Sequence, residues 1–213
     1  MTRPTIHVVD DDPAIRDSLA LLLDAEGFEV ACHADGERFL ATDKPLPPGC
    51  VILDLRMPGL SGLEVHATMQ QRGWTLPVLF LSAFGDIPTT VAAIKGGAED
   101  FLTKPPDVAV LVKKVRAAVA ASRQRQQQLQ EIEQLQGRLA ELTVREREIL
   151  GWAVSGLSSR DIAQQLGLSQ RTVENHRLRI NRKLRTSNLL EFYHQAARCG
   201  IELGQGADVP TAS

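Results

Sequence analysis

The chain has 213 residues, 43% hydrophobic and 23% charged, with a net charge of -2, ordinary globular proportions that exclude wholesale disorder and collagen-like repeats. Three isolated cysteines, Cys32, Cys50 and Cys199, lack C-x-x-C spacing and give neither a disulfide framework nor a zinc site. No apolar run approaches the ~18 residues of a membrane helix, and Met1–Thr5 leads straight into a strand pattern rather than a secretory signal, so the expectation is a cytoplasmic protein with no membrane partner.

Thr5–Val9 reads as a strand, and Pro13–Glu26 as a helix with Pro at its start and Gly27 just past its end. Phe28–Cys32 is a second strand, followed by a short helix over Gly36–Ala41. After the Pro-rich loop Pro45–Gly49 come a buried strand, Cys50–Leu53, and a helix, Gly62–Arg72. Pro77–Leu81 is a fourth strand, Pro88–Lys95 a helix, and Phe101–Thr103 a short fifth strand. Strands alternating with helices predict an α/β doubly wound, five-stranded parallel sheet, whose sites sit at the carboxyl ends of the strands.

A last helix begins near Pro106. Residues 107–142 contain no Pro and only Gly137, so it runs on through the Gln-rich stretch Ser122–Gln136. Ile132, Leu135, Leu139 and Leu142 are spaced 3, 4 and 3 apart, an a/d pattern of about two heptads. Two readings stand: a solvated connecting helix, or a helix that pairs in a dimer. Residues 143–200 then read as four helices. Thr143 with Glu146 and Ser158 with Asp161 form capping boxes, Ser169 and Asn188 cap the last two helices, and Gly156 and Gly167 punctuate. Short helices joined by tight Gly-containing turns predict an all-α helix-turn-helix domain. The expected division is 1–121, a helical and in one reading coiled-coil linker at 122–140, 141–201, and a disordered tail at 202–213.

Charge follows that division. Residues 1–122 carry 11 Lys and Arg against 16 Asp and Glu, whereas residues 138–200 carry 11 against 6. A basic second domain behind an acidic first one points to nucleic acid as a partner of the second.

The acidic residues are placed for chemistry. Asp10, Asp11 and Asp12 end the first strand and Asp54 the third, ends that are neighbours at the switch point of a flavodoxin-like sheet. Carboxylates gathered there repel one another unless a cation is present, and hard oxygen donors suit Mg²⁺. Ser82 ends the fourth strand and Lys104 the fifth, so a hydroxyl and an ammonium face the same spot. These parts fit a carboxylate nucleophile, a metal and a counter-ion around a transferring phosphoryl group. Aiming Lys104 back into the site calls for a sharp turn, and because an X-Pro bond takes the cis form at a cost of only ~0.5–1 kcal/mol, a cis Lys104–Pro105 bond is expected.

V-V-D-D-D, L-D-L-R-M-P-G-L-S-G, L-S-A and D-F-L-T-K-P resemble, in order and spacing over about 120 residues, the receiver domain of two-component response regulators. The resemblance implies that Asp54 accepts a phosphoryl group from a sensor histidine kinase. It implies that Asp10, Asp11, Asp54 and the Arg56 backbone carbonyl hold Mg²⁺, that Lys104 is the phosphoryl counter-ion, and that Ser82 and Phe101 are the switching hydroxyl and aromatic. Asp12 is left to cap the first helix. Pro106, where an aromatic residue often follows Lys-Pro, and Phe84 depart from the commonest receiver pattern without removing a catalytic group.

Leu142-Thr143, Arg145–Glu148, Gly156–Ser158, Asp161–Ala163 and Leu168–His176, completed by Ile180 and Lys183-Leu184, resemble the LuxR-type helix-turn-helix of the FixJ/NarL response regulators. Periodicity agrees: at about 100° per residue, Val173, Ile180 and Leu184 form one stripe, with Arg171, Asn175, Leu178 and Arg182 opposite and Glu174 and Arg179 flanking. Arg171, Glu174 and Asn175 are suited to base edges in the major groove of double-stranded DNA, and Arg177, Arg179, Arg182 and Lys183 to phosphates. His176 lies on the core side. The expected function is therefore a phosphorylation-switched, dimeric transcription regulator and not an enzyme, with RNA polymerase as a further candidate partner. Two rivals are a constitutive DNA binder with a vestigial receiver and a haloacid-dehalogenase-type phosphohydrolase. The latter places a second acid two residues after its nucleophile, where this chain has Arg56.

Overall fold

The structure, a computed structural model, describes residues 3–42, 48–82 and 97–202. The chain divides into two compact units, Met1–Gln126 and Gln127–Ser213. In the first, β1 (Thr5–Val9), α1 (Pro13–Ala25), β2 (Glu29–His33), α2 (Gly36–Leu40), β3 (Gly49–Asp54), α3 (Gly62–Gln71), β4 (Val78–Ser82), β5 (Asp100–Thr103) and the start of α4 (Val108–Ala140) follow one another. The sheet order is β2-β1-β3-β4-β5, and every pairing is parallel. This is the expected doubly wound sheet, and the β1/β3 boundary is its switch point.

Both faces of the sheet are covered, which is why its central strands are apolar almost throughout. On one face Ile6, Val8, Cys50, Ile52, Leu79 and Leu81 pack with Leu19 and Leu23 of α1 and Leu111, Val115 and Val119 of α4. On the other, Val9, Val51, Leu53, Val78 and Phe80 pack with Phe39 and Leu40 of α2 and Val65 and Met69 of α3.

β2 starts at Glu29, one residue later than the pattern predicts. Gly27, at φ 89°, lets its own N–H and that of Phe28 close α1 by bonding to the carbonyls of Asp24 (2.9 Å) and Leu23 (3.0 Å). Phe28 enters the core as the residue that closes this helix end rather than as the start of the strand. The helix expected over Pro88–Lys95, with Phe84 and the Gly85–Pro88 motif, lies outside the described residues, as does the tail beyond Glu202.

Among the described residues of the second unit, four helices, α5 (Val144–Val154), α6 (Ser159–Leu166), α7 (Gln170–Leu184) and α8 (Leu189–Arg198), surround one core built on Ile149, Leu150, Ile162, Val173, Ile180, Leu184, Phe192 and Ala196. Every start is capped as the sequence predicts. Thr143/Glu146 and Ser158/Asp161 form reciprocal boxes, and the Ser169 and Asn188 side chains accept from Thr172 and from Leu190 and Glu191. Gly167, left-handed at φ 63°, ends α6, and three residues later α7 begins. That is a helix-turn-helix.

The apolar stripe of the connecting helix meets the chain's own helical core. Leu135 (2% exposed) and Leu142 (5%) are buried in the core of the second unit, and Leu139 packs against it. Three of the four a/d residues are thus engaged within the chain, as the last turns of α4 roof the helical core.

Candidate functional site

The register Val9↔Leu53 sets Asp10, just past β1, beside Asp54, the last residue of β3. Both are buried, at 2% and 7% exposure, whereas Asp11 faces solvent. One carboxylate oxygen from each of the three lies within 4.8 Å of the others. Lys104, which follows β5, reaches across the end of the intervening strand and places its Nζ 2.5 Å from Asp10 Oδ2 and 3.1 Å from Asp54 Oδ2. The Lys104–Pro105 bond is cis. β4 lies between β3 and β5, and its Ser82 is in register with Thr103; the Ser82 side chain lies outside the described part of the structure. Phe101 is half-buried against the core on the α2/α3 face.

Main-chain donors complete the arrangement. The Asp12 N–H donates to Asp10 Oδ1 (3.0 Å), and the Arg56 N–H donates to Asp54 Oδ1 (3.4 Å). Asp12 is the N-cap of α1, accepting from the Ala14 N–H at 2.9 Å. Gly62 opens α3 directly over the site, its N–H bonded to the Leu55 carbonyl, where an added Cβ would stand 2.2 Å from the Asp54 carbonyl oxygen. Burial pushes the Asp54 carboxyl above its usual value, opposed by Lys104 and the Arg56 N–H and reinforced by the Asp10 charge. Burial alone would lower the Lys104 value, but the two carboxylates outweigh it and hold the ammonium above its usual value. The result is a buried Asp54 carboxyl beside a charged ammonium, within a group of carboxylates whose oxygens suit a hard divalent ion.

Two features were not anticipated. Arg16 donates from Nη1 to the Asp10 carbonyl at 2.6 Å, fixing the acidic turn from the first turns of α1. Its position six residues after Asp10 was the signal. His7, 5% exposed on β1, pairs through Nδ1 with His33 Nε2 of β2 at 3.2 Å, and both rings pack on Phe39. The parallel register sets His7 opposite Ala31 and His33 opposite Val9, so the two histidines are diagonal neighbours on one face of the sheet, which nothing in either local segment announces.

In the second unit α7 buries Val173, Ile180 and Leu184 and exposes Arg171, Glu174, Asn175, Leu178, Arg179 and Arg182. Arg177 and His176 are half-buried. Lys183, expected to face phosphates, instead points inward: its Nζ bonds to Glu146 Oε2 (2.6 Å) and to the Glu141 carbonyl (2.9 Å). Burial would raise the Glu146 value, but Lys183 and the two Thr143 donors outweigh it and hold the carboxyl below the usual range. The cation therefore ties the end of the exposed helix to the start of α5. The outer face keeps three exposed arginines, Arg171, Arg179 and Arg182.

A doubly wound sheet with buried aspartates and a lysine at its switch point, joined to a helix-turn-helix with a basic outer face, defines the response-regulator class of proteins. Residues 6–116 match the response regulator receiver domain, and residues 140–196 match the bacterial regulatory proteins of the luxR family. The transcriptional regulatory protein FixJ of Azorhizobium caulinodans is 40% identical over 196 residues, covering 92% of this chain and 93% of its own. The transcriptional regulatory protein TdiR of Thauera aromatica is 42% identical over 191 residues, covering 88% and 84%. Among solved structures, the response regulator StyR is 36% identical and superposes with a TM-score of 0.87, covering 92% of this chain and all of its own. The chain belongs to the response regulators that carry a receiver domain and a LuxR-type DNA-binding domain. A receiver implies a sensor kinase as partner, and the LuxR-type domain implies DNA; receivers in general bind Mg²⁺ at an acidic cluster. Among the described residues no helix is long and apolar enough to cross a membrane.

Proposed function

We propose that Asp54 is the phosphoacceptor, and that its phosphorylation by a sensor histidine kinase switches a homodimer of this chain onto double-stranded DNA to control transcription, in the cytoplasm. The carrying observation is the convergence of Asp54, Asp10 and the Lys104 ammonium within 2.5–3.1 Å at the ends of β3, β1 and β5. An Asp54 carboxylate oxygen attacks the phosphorus, the phosphorus–nitrogen bond of the kinase's phosphohistidine breaks, and the imidazole leaves with the electron pair. Lys104 offsets part of the charge on the new acyl phosphate, about -2 in all. Asp10, Asp11, Asp54 and the Arg56 carbonyl would hold Mg²⁺, which when bound supplies positive charge to the phosphoryl oxygens. Ser82 and Phe101 would then move inward as the switching pair.

On DNA, Arg171, Glu174 and Asn175 would read base edges, and Arg177, Arg179 and Arg182 would contact phosphates, with Lys183 reserved for positioning the helix. The reading assigns the receiver to 1–121 and the DNA-binding domain to 141–201, with the end of the connecting helix (122–140) packed on the latter. The relatives are transcription regulators, which favours a regulator over a phosphohydrolase that turns over phosphate monoesters. RNA polymerase is the natural recipient of the signal at a promoter. Labelling by radioactive acetyl phosphate or by the kinase tests the acceptor: Asp54→Asn should abolish it, and labelling of the variant equal to that of the wild type would overturn the assignment.

A further inference from the structure

Leu178 is 63% exposed although it belongs to a helix whose own apolar stripe, Val173, Ile180 and Leu184, is wholly buried. At about 100° per residue it stands about 140° from the middle of that stripe, with Arg171 and Arg182 about 20° and 40° to one side and Glu174 about 40° to the other. A large apolar side chain thus sits in the centre of the outward face, ringed by Arg171, Glu174, Asn175 and Arg182, all of them exposed. It follows Gln170 by eight residues, about 12 Å along the helix, within the reach of a major groove about 12 Å wide.

We propose that Leu178 reads a thymine, packing against its C5-methyl group in the major groove and so fixing one base pair of each half-site. The inference rests on the DNA-binding reading above. The surrounding arginines commit the face to a polyanion rather than to the apolar surface of a protein. Within the groove the thymine C5-methyl is the one methyl group that base edges present, while N7, the exocyclic amines and the exocyclic oxygens all offer a donor or an acceptor. Leu178 against such a polar edge would desolvate it without replacing its hydrogen bond, so the same side chain that favours thymine rejects the other bases. The flanking Glu174 and Asn175 hold the hydrogen-bonding positions on either side, and Gln170 Nε2 already steadies Glu174 Oε1 at 2.9 Å.

The test uses the full-length protein, phosphorylated with acetyl phosphate, to enrich its preferred duplex from a random-sequence pool. Each thymine of that duplex is then replaced singly by deoxyuridine, which removes only the methyl group, and affinities are measured by fluorescence anisotropy. Wild type should lose about three- to tenfold at one thymine per half-site. Leu178→Ala should bind the original duplex as weakly as wild type binds the deoxyuridine one, and should be indifferent to the exchange at that position alone. Leu178→Met, which keeps the apolar reach, should retain most of the methyl dependence. An enriched duplex in which no thymine is methyl-sensitive, or one in which Leu178→Ala keeps the full sensitivity, overturns the assignment and leaves the DNA-binding reading standing. A pool that yields no enriched duplex overturns both.

Discussion

A buried ionisable side chain is tolerated only with a partner or in its neutral form, and this chain uses both solutions. Asp10 and Asp54 share Lys104, and Glu146, 3% exposed, is held by Lys183 and Thr143. Glu146→Ala removes a helix cap and an ion pair together and should destabilise the second unit by about 2–3 kcal/mol, read as a drop in its urea midpoint. His7 takes the other route. Burial, and secondarily His33, lower its pKa to about 4, while the unfolded chain binds that proton below about 6.5. The unfolded state therefore binds more protons between these values, and stability should fall as pH drops from about 6.5 to 4, by up to about 3 kcal/mol. His7→Gln should flatten that slope, measured by urea unfolding of a Trp152→Phe background in which Trp74 reports on the receiver; an unchanged slope would contradict the role given to His7. The acid–base groups of the receiver site were legible because strand ends in a parallel sheet converge. The histidine pair was not, since its pairing depends on the β1/β2 register.

Caps and core stripes were the most legible of the elements because they are local: Thr143, Ser158, Ser169 and Asn188 each start the helix that their spacing announces. What local pattern could not decide was where an apolar face goes. Ile132, Leu135, Leu139 and Leu142 have the spacing of a pairing helix, but whether such a stripe meets a second copy or the chain's own core depends on contacts with residues 149–201. Leu135→Ala should accordingly cost the second unit about 2–5 kcal/mol. If it left unfolding of that unit unchanged and altered only self-association, the packing described for the last turns of α4 would be contradicted. Lys183 carries the same lesson. Its place on a basic helix reads as phosphate-facing, and only the tertiary approach of Glu141 and Glu146 turns it inward. At the head of α3, Gly62 is required by the close passage of the Asp54 carbonyl. Gly62→Ala should destabilise the receiver by about 1–3 kcal/mol and slow labelling by acetyl phosphate, both measurable on one preparation.

The whole molecule joins a receiver domain with an acidic strand-end cluster to a basic helix-turn-helix, and each half was legible from motifs that spread across several elements. On DNA the two kinds of contact separate by their salt dependence. Arg182→Ala should weaken binding to all duplexes and reduce the salt slope by about one, whereas Arg171→Ala or Asn175→Ala should cost about 1–3 kcal/mol and relax the preference at particular bases. Affinity and base preference both unchanged in the latter two variants would mean that the outer face of α7 is not the reading face. The central claim is that a phosphoryl group on Asp54 governs the DNA-binding half. The direct measurement is affinity for the enriched duplex before and after treatment with acetyl phosphate, for wild type and for Asp54→Asn. Binding should tighten at least about tenfold, or 1.4 kcal/mol, in the wild type and not at all in the variant. Equal affinity of treated and untreated wild type, or the same gain in Asp54→Asn, would contradict the account.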